Sequence, residues 1–256
     1  LITSYGVLFT FKALGIAYLI VILVGSQFIM TAPEGYKPEG WEPPAITAAS
    51  ANTGKEKTWK QMLADPLFYL LLIMLTIGAT SGLMIISQAS PIAQEVVGVT
   101  AETAAFVVSL VAIANMVGRI TWGAVSDKIG RYNALPIMYV VLAAAMFSLT
   151  LVKAGSFAMF LITVMLVGFC FGGFMGVFPA LTADSFGAKN NGVNYGFMFI
   201  GFALGGYIGP VMAATIKAGN NGDYTKAFLI AAAMCILGII VTFIVKKFNK
   251  KAIETV

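Results

Sequence analysis

Seven apolar stretches, each long enough to cross a bilayer as a helix, take up most of this chain and leave room for few other folds. A membrane-spanning helix needs about 20 mainly apolar residues. The stretches fall at 9–30, 66–89, 103–125, 134–152, 157–180, 195–216 and 227–245. They are continuous rather than alternating, which favours helices over barrel strands. An all-α membrane protein is therefore expected.

Composition agrees with that fold. Apolar residues make up 59% of the chain and charged residues 11%, with a mean hydropathy of +0.90. Water-soluble domains carry roughly 25% charged residues, so this chain has too little polar surface to face water. The net charge of +5 does not indicate nucleic acid, because the lysines sit in loops and tails between the apolar runs. There is no histidine, and Cys170 and Cys235 lie inside apolar runs. Neither a metal site nor a disulfide is expected, and no cofactor is implied.

The longest polar stretch, 32–65, reads as a linker rich in proline (Pro33, Pro38, Pro43, Pro44). Near its end Trp59, Met62 and Leu63 have helical spacing beside Lys57 and Lys60, which predicts a short helix lying on the membrane surface. Asp65-Pro66 reads as the N-cap and first residue of the next span. Lys37, Lys55, Lys57, Lys60, Lys128, Arg131, Lys189, Lys246, Lys247, Lys250 and Lys251 all fall on one side of the membrane. Only Lys12, Lys153, Lys217 and Lys226 fall on the other. The positive-inside bias puts the linker and the C-terminus in the cytoplasm of a multi-pass protein of the cell (inner) membrane.

Glycines recur at intervals of four on three spans: Gly78 and Gly82; Gly168, Gly172 and Gly176; Gly201, Gly205 and Gly209. Such spacing lets helix backbones approach closely in lipid. Beyond packing, smooth faces of this kind would let helices rock or slide.

One cation is out of place. Arg119 lies inside an apolar span, where a charge costs at least about 2.5–3.5 kcal/mol on insertion scales. Such a residue faces a cavity or a partner, and a guanidinium grips a carboxylate with two parallel hydrogen bonds. The competing reading is that it snorkels to the membrane surface. Asn115 is one turn earlier on the same face, placed either to donate to a substrate and orient the guanidinium or to bond a neighbouring helix.

The sequence Gly123-Ala-Val-Ser-Asp127-Lys128-Ile-Gly130-Arg131 resembles the charged loop between the second and third helices of each half of a major facilitator superfamily transporter. The stretch 33–41 (Pro-Glu-Gly-Tyr-Lys-Pro-Glu-Gly-Trp) and Asn194-Tyr-Gly-Phe resemble the oxalate/formate antiporter family, related to the monocarboxylate transporters. The resemblance implies that 1–31 is the last helix of the N-terminal bundle, 32–65 the cytoplasmic linker and 66–256 the C-terminal six-helix bundle. The spans are then helices 6–12 of twelve. A chain beginning at Leu1 is expected to lack its partner helices one to five.

By the same resemblance Arg119 anchors a substrate carboxylate. Monocarboxylate carriers coupled to protons have Asp where Asn115 stands, so this chain lacks that proton acceptor. Oxalate-transporting relatives have a Lys aligned with Phe202, whose absence favours a monocarboxylate such as formate, lactate or pyruvate over oxalate. Phe171 and Met175 align with two aromatic residues beside the substrate. Core packing is the alternative for Phe171 and Met175, and packing or a lipid-facing position for Phe202. Gly123, Asp127, Lys128, Gly130 and Arg131 would latch helix ends and gate an alternating-access cycle, by antiport or symport. The competing classes are a seven-helix receptor or pump and a membrane enzyme. A retinal protein needs a lysine in the last span, which has none, and an enzyme needs a nucleophile–base pair or metal cluster that the spans do not offer.

Overall fold

The structure is a computed structural model that describes residues 2–30 and 56–254. The stretch 33–41 and most of the expected linker lie outside the described residues. Among the described residues every regular element is helical, as the apolar runs require. Two compact units are present, Leu1–Ala45 and Ile46–Val256. The first holds α1 (Ile2–Ser26), a helix apolar around its circumference.

The second unit holds α2 (Trp59–Leu63), α3 (Pro66–Ile92, continued by a π-helical turn, Ala93–Val97), α4 (Ala101–Ile129), α5 (Arg131–Leu149), α6 (Phe157–Phe186), α7 (Asn191–Met198), α8 (Ile200–Gly219) and α9 (Thr225–Glu254). Counting α7 with α8, seven helices among the described residues are long and apolar enough to cross a membrane. A short helix stands where Trp59, Met62 and Leu63 predict one. Its start is fixed by Gln61, whose side-chain oxygen accepts from Thr58 N at 2.9 Å. The Asp65 carboxylate accepts from Leu67 N at 2.9 Å and Pro66 opens α3, as expected.

Several helices outrun their apolar stretches. α4 continues through Asp127 to Ile129, so the charged segment 123–131 is almost wholly helix rather than loop. Gly130, with φ +86°, is its single turning residue. α6 likewise runs on to Phe186. Hydropathy marks only the hydrocarbon-length part of a helix. Backbone hydrogen bonding carries the helix further, until a positive-φ glycine, here Gly130 or Gly187, stops it. The expected span 195–216 is broken in two. Phe202 N donates to Phe199 O at 3.0 Å, a three-residue spacing that tightens the helix between α7 and α8.

α3 is central and meets α4, α6, α8 and α9; α4 packs on α6, and α5 on α9. The glycine stripes sit at these contacts. On α6, Gly168, Gly172 and Gly176 lie against the backbone of Val111, Asn115 and Arg119, and Gly118 of α4 lies against the carbonyl of Phe169. A Cβ on Gly176 would stand 2.6 Å from the Arg119 carbonyl oxygen. Gly201, Gly205 and Gly209 bring α8 onto α3 at Leu72, Ala79 and Thr80. Tyr139, fully buried, crosses the bundle to donate to Met74 O at 2.5 Å.

This packing leaves no space for a branched side chain on α6. Gly172→Val is expected to destabilise the fold by about 1–3 kcal/mol, the usual range for overpacking. Gly192→Ala, where nothing lies within 4 Å of an added methyl, is expected to be neutral or slightly stabilising. Thermal unfolding of both variants in detergent checks this contrast.

Candidate functional site

α4 is gripped by α6 along one side, through Val107, Val111, Ala114, Gly118 and Trp122, and its two remaining flanks differ sharply. At 100° per residue, Ala112, Asn115 and Arg119 share one flank. Ile113 and Val117 lie on the other, where they join Ala114, Ile162, Met165, Leu166 and Phe169 around a groove of about 380 Å³. That groove is lined only by apolar residues, so it has nothing to offer a polar solute. Asn115 and Arg119 lie on the side away from it.

Asn115 is half-buried and Arg119 exposed. The close approach of Gly172 and Gly176 to their backbones sets both residues level with the middle of α6. Among the described residues, Arg119 makes no hydrogen bond and no ion pair. Tyr195, on α7, is half-buried. Tyr195 begins an aromatic series. Its ring lies 5.6 Å from that of Phe199, Phe199 stacks on Phe202 at 4.6 Å and 9°, and Phe202 faces Phe171 at 6.2 Å and 30°. Phe171 is in turn pressed against Gly82 of α3.

The structure thus joins Phe171 to Phe202 and sets Arg119 one turn from Asn115. Met175 lies one turn beyond Phe171 on α6 and is buried. Tyr195 and Phe199 complete the aromatic series, and neither is among the candidate site residues read from the sequence. The helical spacing Tyr195, Phe199, Phe202 was the available signal.

The charged motif forms a network where the ends of α4, α5 and α6 meet. Arg131, first residue of α5, donates from Nη1 to Asp127 Oδ1 at 2.8 Å and to Ser126 Oγ at 3.2 Å. Its Nε donates to Asp184 Oδ2 at 2.5 Å. One guanidinium therefore ties the ends of α4, α5 and α6. Asp184 is the partner that sequence reading missed, since it lies 53 residues from Arg131 and outside any recognised pattern. Gly130 supplies the left-handed turn that lets Arg131 fold back beside Asp127. Gly123 has open space around it, and Lys128 is exposed with no ion pair among the described residues.

The opposite end has its own tie. Lys217 pairs with Glu95 at 2.5 Å and lies 5.2 Å over the Tyr224 ring, and Tyr224 donates to Gln88 at 3.3 Å. Asp223 starts α9 by accepting from Thr225 N and Oγ1 at 2.9 and 2.7 Å. Those bonds hold its carboxyl below the ordinary aspartate value, so acidification below the usual carboxylate range removes this cap's contribution.

Spans of this length, packed through glycine and tied at their ends by ion pairs, define a multi-pass helical membrane protein. The family model of the Major Facilitator Superfamily matches residues 1–210 and 150–255, and the chain belongs to that superfamily. It is similar to an MFS-type transporter, YhjX, of Escherichia coli K12, at 30% identity over 78% of this chain and 47% of the relative. It is also similar to the oxalate:formate antiporter of Oxalobacter formigenes, at 26% identity over 77% and 47%. Monocarboxylate transporter 12 of Xenopus laevis matches at 27% over 60% and 34%. This chain thus spans about half the length of the first two relatives. A crystal structure of the E. coli fucose:proton symporter FucP superimposes with a TM-score of 0.59 at 17% identity, covering 73% of this chain and 44% of that one. That likeness concerns the fold.

Removing the shared guanidinium leaves two carboxylates unpaired. Arg131→Ala is expected to cost roughly 1–2 kcal/mol, somewhat above a lone surface pair because one cation serves two acids. Melting temperatures at low and high salt check it, with the gap between wild type and variant narrowing as salt rises.

Proposed function

We propose that the chain is the C-terminal portion of a secondary transporter for small carboxylates, a monocarboxylate rather than oxalate, that works by alternating access. In this reading α1 is the sixth helix and 32–65 the linker. α3, α4, α5, α6, α7 with α8, and α9 are then helices seven to twelve, with the linker and C-terminus in the cytoplasm of the cell membrane. The names of the oxalate:formate antiporter, the monocarboxylate transporter and an apicoplast pyruvate carrier of Toxoplasma gondii, 32% identical over 32% of this chain, support a carboxylate substrate.

The observation that carries the reading is Arg119: a full positive charge on a membrane-spanning helix, without a counter-ion among the described residues and on the polar flank of α4. A substrate carboxylate would supply the missing charge. Asn115 adds a donor or acceptor one turn away, and Phe171, Phe202, Phe199 and Met175 make an apolar wall that strengthens the ion contact by excluding water. Neutralising the guanidinium on binding lowers the cost of closing the cavity around it. The two bundles then rock about that site while the Asp127–Arg131–Asp184 network holds or releases the helix ends. Phe202, which stacks on Phe199 and Phe171, brings no second cation to hold a dianion, and this supports a single carboxylate.

Uptake of labelled formate, lactate and pyruvate into proteoliposomes holding the complete gene product tests this. Arg119→Ala is expected to lower kcat/KM by about 30-fold or more, the cost of losing one partner of a charge-assisted pair. Phe202→Lys is expected to shift preference toward oxalate. Normal uptake by Arg119→Ala would refute the anchor.

A further inference from the structure

The end of the linker is bound tightly to the turn between α6 and α7. Lys57 N donates to Phe186 O at 2.9 Å, and Lys57 O accepts from Asn190 Nδ2 at 3.2 Å and from Asn194 Nδ2 at 3.0 Å. Glu56 Oε2 accepts from Lys189 N at 2.9 Å and packs on Gly187, whose φ of +97° leaves the space it fills. Lys57 pairs with Asp65, and Trp59 stacks on Phe197 at 5.5 Å and 14°.

Asn194 is the member of this set that folding alone does not explain. It is completely buried, and its Oδ1 has no hydrogen-bond partner among the described residues. An unpaired buried acceptor costs about 1–3 kcal/mol, whereas an apolar residue of the same size would cost nothing of the kind. What the amide does contribute is a fixed link from the linker backbone to α7. Tyr195, the next residue, starts the series through Phe199 and Phe202 to Phe171. Because the helix tightens at Phe199 and α8 is held separately by its glycines on α3, α7 needs its own attachment.

We propose that Asn194 is a positioning residue for the anion site: it clasps the Lys57 carbonyl and so holds α7 and the aromatic series that runs from Tyr195 to Phe171, whose neighbour Gly172 packs on Asn115. The proposal rests on the carboxylate reading above. It is specific about what fails when the clasp is lost. The aromatic wall loses its fixed place, so affinity falls, while the carrier still turns over once loaded.

The test uses the complete gene product in proteoliposomes with pyruvate and formate as probes, and compares Asn194→Ala, Asn190→Ala and Arg119→Gln. Asn194→Ala is expected to raise KM about 3- to 10-fold, the worth of one buried hydrogen bond, with kcat nearly unchanged. Hydrogen–deuterium exchange is expected to speed up in 191–199 and stay unchanged in 200–219. Asn190→Ala, which leaves the second donor in place, is expected to show a smaller shift in the same direction, and it decides the matter if Asn194→Ala does not fold. An unchanged KM, or a fall in kcat at constant KM, overturns the positioning role. If Arg119→Gln transports normally, the carboxylate reading fails, while the exchange measurement still reports on the clasp. If Arg119→Gln is inactive and neither asparagine variant changes KM or exchange, the clasp proposal alone fails.

Discussion

The contact on which the rest depends is backbone against backbone, where Gly172 and Gly176 of α6 meet Asn115 and Arg119 of α4. In lipid, apolar side chains gain little by leaving hydrocarbon for protein, so helix association comes from close van der Waals fit. Glycine gives that fit by removing the side chain between two helices. Because the contact falls at the same turns that carry the polar residues, it also fixes their height and their direction. α4 cannot rotate without driving an α6 backbone into its own carbonyls. Arg119 is therefore presented to one flank and the apolar groove around Ile113 and Val117 to the other.

A rigid pair of helices is useful only if the structure can also move. The described part of the bundle divides its ties by location. Glycine contacts fill the membrane-depth layer, and ion pairs and hydrogen bonds are concentrated at the two ends: Arg131 with Asp127 and Asp184 at one, Lys217 with Glu95 at the other. End contacts in or near water exchange partners at small cost, whereas the packed middle changes only as a whole. Helix segments moving as solid bodies between two sets of end contacts is the behaviour that alternating access asks for.

Much of the fold was legible in the sequence because bilayer physics permits so few spanning structures. The seven spans, the short helix at Trp59 and the Asp65-Pro66 start followed from run length, helical spacing and capping chemistry. Helix ends were less legible, since hydropathy stops at the hydrocarbon edge while Asp127 and Phe186 continue their helices in polar surroundings until a positive-φ glycine. The break at Phe199 had no proline to announce it, and Asp184 reaches Arg131 only through the fold. Of the candidate site, Arg119 and Asn115 were visible as polar residues on an apolar helix. The stacking of Phe171 on Phe202 depends on how α6 and α8 lean on α3, which no local pattern records. Tyr195 and Asn194 drew notice only as part of a short resemblance, and the contact of Asn194 with Lys57 is set by the tertiary fold.

The central claim is that the Arg119 flank of α4 faces the path of an anionic solute and the opposite flank does not. Single cysteines at Ala112 and at Ile113, adjacent residues pointing to the two flanks, test it with Arg119 left intact and Cys170 and Cys235 both buried. Reaction with a negatively charged, membrane-impermeant thiol reagent is measured with and without pyruvate. The account predicts that Ala112→Cys reacts and is protected by pyruvate, while Ile113→Cys stays unreactive. Equal reactivity at both positions, or no protection at Ala112→Cys, would contradict it.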